Sequence, residues 1–315
     1  MSIPNNEKLI SVIMPTFNVE KYVRDAVLSI LNQTWKDLEL IIVDDCSTDN
    51  TYSILNELAK NDGRIVLMRN EINKKICKTL NKCLENAKGK YIVRMDGDDV
   101  SQPNRLEVMK KFLDSNPNID LVGSYVISID ENGKEIKRKE YLCSPDFIKI
   151  GNRFTSSVLH IWMARREVYD NLNGYRDIPY VEDYDFLLRG QKLGYRYANI
   201  SEYLYMVRIR AGNTADSNGL KQRKAKKFVQ KINRKQIGNF ENVEKMYLDA
   251  IAYRQAENKR YQKAQGHIRK AIESENHLLK FKNIIFGIIG SKYTRHQIYE
   301  GIGARCLKKV EQLVK

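Results

Sequence analysis

Residues 38–51 read LELIIVDDCSTDNT, and the fold class turns on them. The first six are apolar and partly β-branched apart from Glu39. A run that short, stopped by the carboxylate pair Asp44 and Asp45, reads as a buried strand. Ser47, Thr48 and Asp49 then offer side-chain oxygens to cap a helix whose apolar positions are Ile54, Leu55 and Leu58. Ser47 or Thr48 is the expected cap. A strand that ends in polar residues and passes straight into a capped helix is half of a βαβ unit. Working outward, residues 9–14 (LISVIM) form a second short run stopping at Pro15, and Tyr22, Val23, Ala26, Val27, Ile30 and Leu31 recur at helical spacing between the two. Downstream come a strand at 64–68, a helix at 76–87 closed by Gly89, and a strand at 91–95. Strand and helix alternate four times. The expectation is an α/β fold with a Rossmann-like, mostly parallel sheet flanked by helices on both faces, its ligand crevice beyond the carboxyl ends of the strands.

Past Pro103 the sequence predicts a helix at 105–113, a strand at 121–127 and a hairpin turned by residues 130–133 (DENG). A less regular part runs to about Arg210, and residues 211–219, rich in Gly, Asn and Ser, read as a linker. Charge marks the same boundary. The 315 residues hold 54 Lys and Arg against 39 Asp and Glu, a net +15. Residues 1–219 carry 31 of each sign and residues 220–315 carry 23 basic against 8 acidic, so the whole surplus falls in the last part. The expected organisation is a neutral catalytic domain over 1–219 followed by a basic α-helical region over 220–315, which excludes a uniformly basic nucleic-acid coat protein. Within that region Ala250, Ala252, Ala256, Tyr261, Ala264, Ile268 and Ala271 suggest one antiparallel helical hairpin.

The five cysteines form no CxxC pair and read as free thiols in a reducing compartment. The N-terminal residues show no basic segment leading into a long apolar one. The longest apolar candidate, 281–290, contains Lys282 and Asn283 and falls short of the ~20 residues a spanning helix needs. The expectation is a cytoplasmic protein. The basic region is read as a peripheral contact with anionic membrane or a lipid-diphosphate acceptor on the cytoplasmic face of the inner membrane, or nearly equally as a solvated helical cap or dimerisation element.

Three acidic groups fall at strand or helix ends. Asp96-Gly97-Asp98-Asp99 places three carboxylates in four residues after an apolar strand. Such a cluster is costly unless exposure or a cation relieves it, and hard carboxylate oxygens suit Mg²⁺ or Mn²⁺. Gly97 is read as permitting the tight turn that aims two of them at one point. An isolated DGDD would be an ordinary polar turn; the second acidic pair, Asp44 and Asp45, at a neighbouring strand end turns the reading toward a site. Asp45 is then free to accept hydrogen bonds from a base or ribose. Glu182-Asp183 precedes a helical stretch at 184–192, where two acids by themselves read as favourable charges at a helix N-terminus, or one serves as a general base for an acceptor hydroxyl. The four histidines, His160 among them, form no sequence cluster and read as structural or exposed; Lys74 and Lys75 read as solvated. There is no GxxxxGK[ST] loop and no GxSxG elbow, and residues 301–306 lack the third glycine of a dinucleotide fingerprint.

Four segments in order resemble family 2 glycosyltransferases: 11–18 (SVIMPTFN), 40–51 (LIIVDDCSTDNT), Arg94-Met95-Asp96-Gly97-Asp98-Asp99 with 103–106 (PNRL), and 182–186 (EDYDF). The resemblance covers about residues 9–210. It implies a GT-A fold, a nucleotide-diphosphate sugar donor, a divalent cation (Mn²⁺ or Mg²⁺) and inversion at the anomeric carbon. It also implies site residues. Pro15, Thr16, Phe17 and Asp45 take the nucleoside-pocket positions. Asp96 and Asp98 take those of the DxD pair that meets ribose and metal, with Asp99 an additional ligand. Asp183 takes that of the catalytic base, with Glu182 its neighbour. The sequence departs from the family pattern at 73–77 (NKKIC), where many members have small residues, and it has no QxxRW motif, which speaks against a processive synthase. The expected activity is transfer of one sugar, from a UDP-sugar as the favoured donor, to a glycan or lipid-linked glycan of a surface polysaccharide such as O-antigen, capsule or lipooligosaccharide. Two other classes stand beside it: a sugar nucleotidyltransferase, against which the missing Gly-rich phosphate loop counts, and a nucleic-acid-binding protein, against which the absence of a stacking platform counts.

Overall fold

The computed structural model describes residues 6–152, 155–178, 180–210 and 214–234. In chain order the elements are β1 (Asn6–Thr16), α1 (Val23–Leu31), β2 (Leu38–Asp44), α2 (Thr51–Asn61), β3 (Ile65–Arg69), α3 (Lys75–Asn86), β4 (Gly89–Arg94), β5 (Val100–Ser101), α4 (Arg105–Ser115), β6 (Leu121–Ile129), β7 (Glu135–Lys139), α5 (Pro145–Gly151), β8 (Met163–Arg165), α6 (Arg166–Leu172), α7 (Glu182–Lys192), β9 (Tyr197–Arg208) and α8 (Thr214–Arg234). The strands join one sheet in the order β3-β2-β1-β4-β8-β6-β9-β5, with β7 paired to β6. β1 to β4 pair in parallel, and so do β6 and β9. β8 enters antiparallel between β4 and β6.

Alternation along the parallel strands builds the core. Ile10, Val12, Met14, Leu40 and Ile42 face one side, under α1, α2 and α4. Ile13, Ile41, Val43 and Ile92 face the other, under α3, α5, α6 and α7. Every β2 residue is buried, as a strand covered on both faces requires. Each such aliphatic side chain contributes about 1.5–3 kcal/mol on burial.

Two local expectations differ from what is found. Neither Ser47 nor Thr48 caps α2. Ser47 donates from its backbone N–H and its hydroxyl to the buried Asp44, and Thr48 bonds Asn18. Asp49 accepts the Thr51 N–H at 3.0 Å and the Glu20 N–H at 3.1 Å. The linker expected over 211–219 is also different, because α8 runs from Thr214 continuously through Gly219 to Arg234. Val229 is buried with Ile178, Val181 and Tyr184 against α7, flanked by Ala225, Phe228 and Ile232. That apolar face outweighs the helix-weakening Gly219. The hairpin expected near 250–271 and the apolar stretch at 281–290 lie outside the described residues.

Candidate active site

The ends of β1, β2 and β4 and the start of α7 lie together. β1 ends at Thr16 opposite Asp44 of β2. β4 runs into the DGDD turn, whose first backbone step is fixed by the Met95 N–H to Ile13 O bond at 3.0 Å. Gly97 does not sit at positive φ, so turn conformation is not why glycine stands there. A Cβ at Gly97 would lie 2.8 Å from Thr16 Cγ2 and 3.3 Å from a Val19 methyl. The absent side chain lets the acidic turn pack flat on the end of β1.

Asp96 and Asp98 flank the mouth. Asp96 Oδ1 takes Arg94 Nε at 3.3 Å and Oδ2 meets His160 Nε2 at 2.8 Å. Burial opposes ionisation of Asp96, but His160 and Arg94 together hold its carboxyl below the usual carboxylate range. Asp98 accepts Arg210 Nε at 2.7 Å, and its carboxyl is raised by burial and by the charge of Asp96, with Arg210 opposing. Asp99 is turned away from the other two. It accepts the Arg208 N–H at 2.8 Å on β9 and is raised well above the carboxylate range by burial and by the Asp98 and Asp96 charges. Two rather than three of the cluster therefore face outward.

α7 brings Glu182 and Asp183 to the same place. Glu182 is buried and accepts Arg94 Nη1 at 3.0 Å; burial raises its carboxyl and Arg94 opposes the shift. Arg94, itself buried, thus joins Asp96 to Glu182. Asp183 accepts the Tyr184 N–H on Oδ1 at 2.7 Å and presents Oδ2 to His160 Nδ1 at 3.8 Å. The side chains of Asp96, His160 and Asp183 remain 27%, 25% and 21% exposed, so all three reach solvent.

The nucleoside-pocket positions divide. Phe17 is 44% exposed at the rim, whereas Thr16 is buried and only distantly bonded to Asp44. Pro15 is buried in register with Val43. Asp45, expected to be free for a base, is 4% exposed and accepts the Asn70 amide at 2.8 Å, the Lys74 N–H at 2.7 Å and the Lys75 N–H at 2.9 Å. It holds the start of α3, where Lys75 takes φ +69°, and this leaves about one of its roughly four lone-pair sites for a ligand.

Arg94, His160, Arg208 and Arg210 carry no assigned role in the sequence reading. Arg94 had a signal, since a residue two before Asp96 on an extended chain projects to the same side. Arg208 and Arg210 share that alternation. His160 had none, for the segment before β8 has no regular periodicity.

Residues 11–173 match the family model Glycosyl transferase family 2. The chain belongs to that family. Over 226 residues it is 37% identical to the putative glycosyltransferase EpsE of Bacillus subtilis (strain 168), covering 70% of this chain and 77% of EpsE. It is 34% identical to the O-antigen biosynthesis glycosyltransferase WbnJ of Escherichia coli, over 66% of this chain and 83% of WbnJ. Among solved structures, the mannosyltransferase PcManGT from Pyrobaculum calidifontis, in complex with GDP-Man and Mn²⁺, superposes with a TM-score of 0.58 at 19% identity, covering 96% of this chain and 86% of that one. The fold is GT-A and the protein is a glycosyltransferase. That membership does not favour the nucleotidyltransferase and nucleic-acid readings. No helix among the described residues is long and apolar enough to cross a membrane.

Among the described residues no group of three His, Cys, Asp or Glu side chains is placed to hold a metal ion. The two outward carboxylates, Asp96 and Asp98, are hard oxygen donors, and burial followed by the charge of Asp96 raises Asp98. This fits Mg²⁺ or Mn²⁺ bound through one or two carboxylates with substrate phosphates completing the shell, and does not fit an all-protein cage.

Proposed function

We propose that this glycosyltransferase carries one sugar from a nucleotide-diphosphate sugar, a UDP-sugar first among candidates, to a hydroxyl of a glycan or lipid-linked glycan in surface-polysaccharide synthesis, with inversion. The observation that carries the reading is the meeting of the β4 carboxylates and the α7 carboxylates across one half-open crevice, joined through Arg94 and His160. The likeness to WbnJ supports a surface-glycan acceptor. Phe17 at the rim offers a ring to the base or ribose. Asp96 and Asp98 would hold the cation, which when bound neutralises charge on the departing diphosphate. Asp183 accepts the proton of the attacking hydroxyl, so the bond from the acceptor oxygen to the anomeric carbon forms as the bond to the diphosphate breaks, and no enzyme nucleophile is needed. Glu182, salt-bridged in the interior, fixes the start of α7.

Thermal unfolding with a panel of UDP-, GDP- and dTDP-sugars, each with Mn²⁺ or Mg²⁺, tests the donor. A ligand at 100 times its Kd adds about 2.7 kcal/mol, and a flat panel would overturn the reading. The basic region supports peripheral binding at the cytoplasmic face of an anionic membrane, at about 1 kcal/mol for each Lys or Arg near the surface. Because α8 docks on α7, the truncation that tests it ends after Arg234. Liposome flotation should be lost in that truncation, and retention at full strength would refute the membrane role.

A further inference from the structure

His160 stands between the two functional halves of the crevice. Its Nε2 meets Asp96 Oδ2 at 2.8 Å and its Nδ1 faces Asp183 Oδ2 at 3.8 Å, beyond hydrogen-bond reach but within ion-pair distance. On the other flank Arg94 joins Asp96 Oδ1 to Glu182. Since Glu182 and Asp183 are chain neighbours, the contacts close a ring: Asp96, Arg94, Glu182, Asp183, His160 and back to Asp96. A histidine kept only for packing is ordinarily buried, whereas this ring is a quarter exposed and both its nitrogens address carboxylates.

We propose that His160 is a positioning residue for sugar transfer: Nδ1 sets the direction of the Asp183 carboxylate, and Nε2 ties that setting to Asp96 on the donor side. The proposal rests on Asp183 being the base. Asp183 needs such a partner because its other oxygen is spent on the N–H of the next residue, a bond that leaves the rest of the carboxylate plane free to turn. The backbone under His160 is firm enough to serve. Val158, Ile161 and Trp162 are fully buried, Arg105 donates to Ile161 O, and Trp162 Nε1 donates to Tyr169 Oη at 2.9 Å. Contacts of this kind tighten when substrate fills the site, and a base misplaced by about 1 Å costs up to roughly 100-fold in rate.

The test uses the full-length chain with His160→Ala, His160→Gln, His160→Asn and Asp183→Asn. Crystal structures of wild type and His160→Ala should show the Asp183 carboxylate turned out of its wild-type direction while Asp96 keeps Arg94. Turnover of the UDP- and GDP-sugar panel should fall roughly 10- to 100-fold in kcat for His160→Ala, with the donor KM within about threefold. The amide nitrogen of Asn overlays Nδ1 and that of Gln overlays Nε2, so His160→Asn should recover part of kcat and His160→Gln should not. Mn²⁺ affinity with UDP present, read by electron paramagnetic resonance, should change less than about twofold. An unmoved Asp183, an unchanged kcat, or lost Mn²⁺ affinity, which would make His160 a ligand, each overturns the proposal. Asp183→Asn separates the two readings: full turnover there refutes the base assignment itself, whereas a dead Asp183→Asn beside a fully active His160→Ala refutes only the positioning role.

Discussion

In the parallel half of the sheet, β3-β2-β1-β4, each strand follows its predecessor through a helix; in the mixed half, β8-β6-β9, strands of both directions come from irregular and distant segments. The halves contribute differently. The parallel half supplies Asp96, Asp98 and Asp99. The later part of the chain supplies most of what holds them, with His160 ahead of β8 and Arg208 and Arg210 at the end of β9, together with the second acidic pair on α7. The first half gathers the Asp96, Asp98 and Asp99 carboxylates, and the second, together with Arg94 of β4, decides which of them is paired, buried or left open.

The sharpest way to break that comparison is to remove the acid from the later part. Asp183→Asn should lower kcat by about 10² to 10⁴ at nearly unchanged thermal stability, read by release of nucleotide diphosphate; near-full turnover would leave catalysis to the parallel half alone. Next comes the bridge between halves. Arg94→Met leaves the buried Glu182 without its cation and takes one of two partners from Asp96, so urea unfolding should show a loss of about 3–5 kcal/mol. Arg210→Met, at a partly exposed pair, should cost under about 1 kcal/mol. Equal losses would remove the distinction between a buried and a rim counter-charge.

Gly97→Ala probes the fit of the acidic turn on β1. With Thr16 Cγ2 2.8 Å from the added carbon, thermal unfolding should register about 1–3 kcal/mol of overpacking. The effect at Asp99 is one that pH reveals. Its carboxyl is raised by burial and by its two neighbours, so ionising it costs stability as pH rises from its unfolded value near 4 (about 3.9) through its folded one. Asp99→Asn should therefore gain Tm relative to wild type as pH climbs across that window and show no gain below about pH 4. A pH-independent difference would contradict the assignment.

The parallel half was legible because its signals are local. Short β-branched runs, polar residues at their ends and helical spacing between them suffice to place β1 through β4. The hairpin at 130–133 was legible for the same reason, with Gly133 at φ +86° closing it. The three-residue β8 and the two-residue β5 were not, for they carry too few residues to show a period. The cap of α2 was misread by a residue or two because Ser47 had a stronger use, satisfying the buried Asp44.

The sequence by itself determined the α/β class, the four-motif order that places the chain among family 2 glycosyltransferases, and the two acidic groups that the site is built from, since each depends on residues close together in the chain. Only the tertiary structure decided which acids work together. Asp99 turns inward, Asp45 is spent on the turn into α3, and an assignment from spacing was out of reach for His160, whose partners Asp96 and Asp183 lie 64 and 23 residues away. The reason is physical: the ionisation and direction of a carboxylate are set by whatever charge stands within a few ångströms of it, and chain spacing does not report that distance.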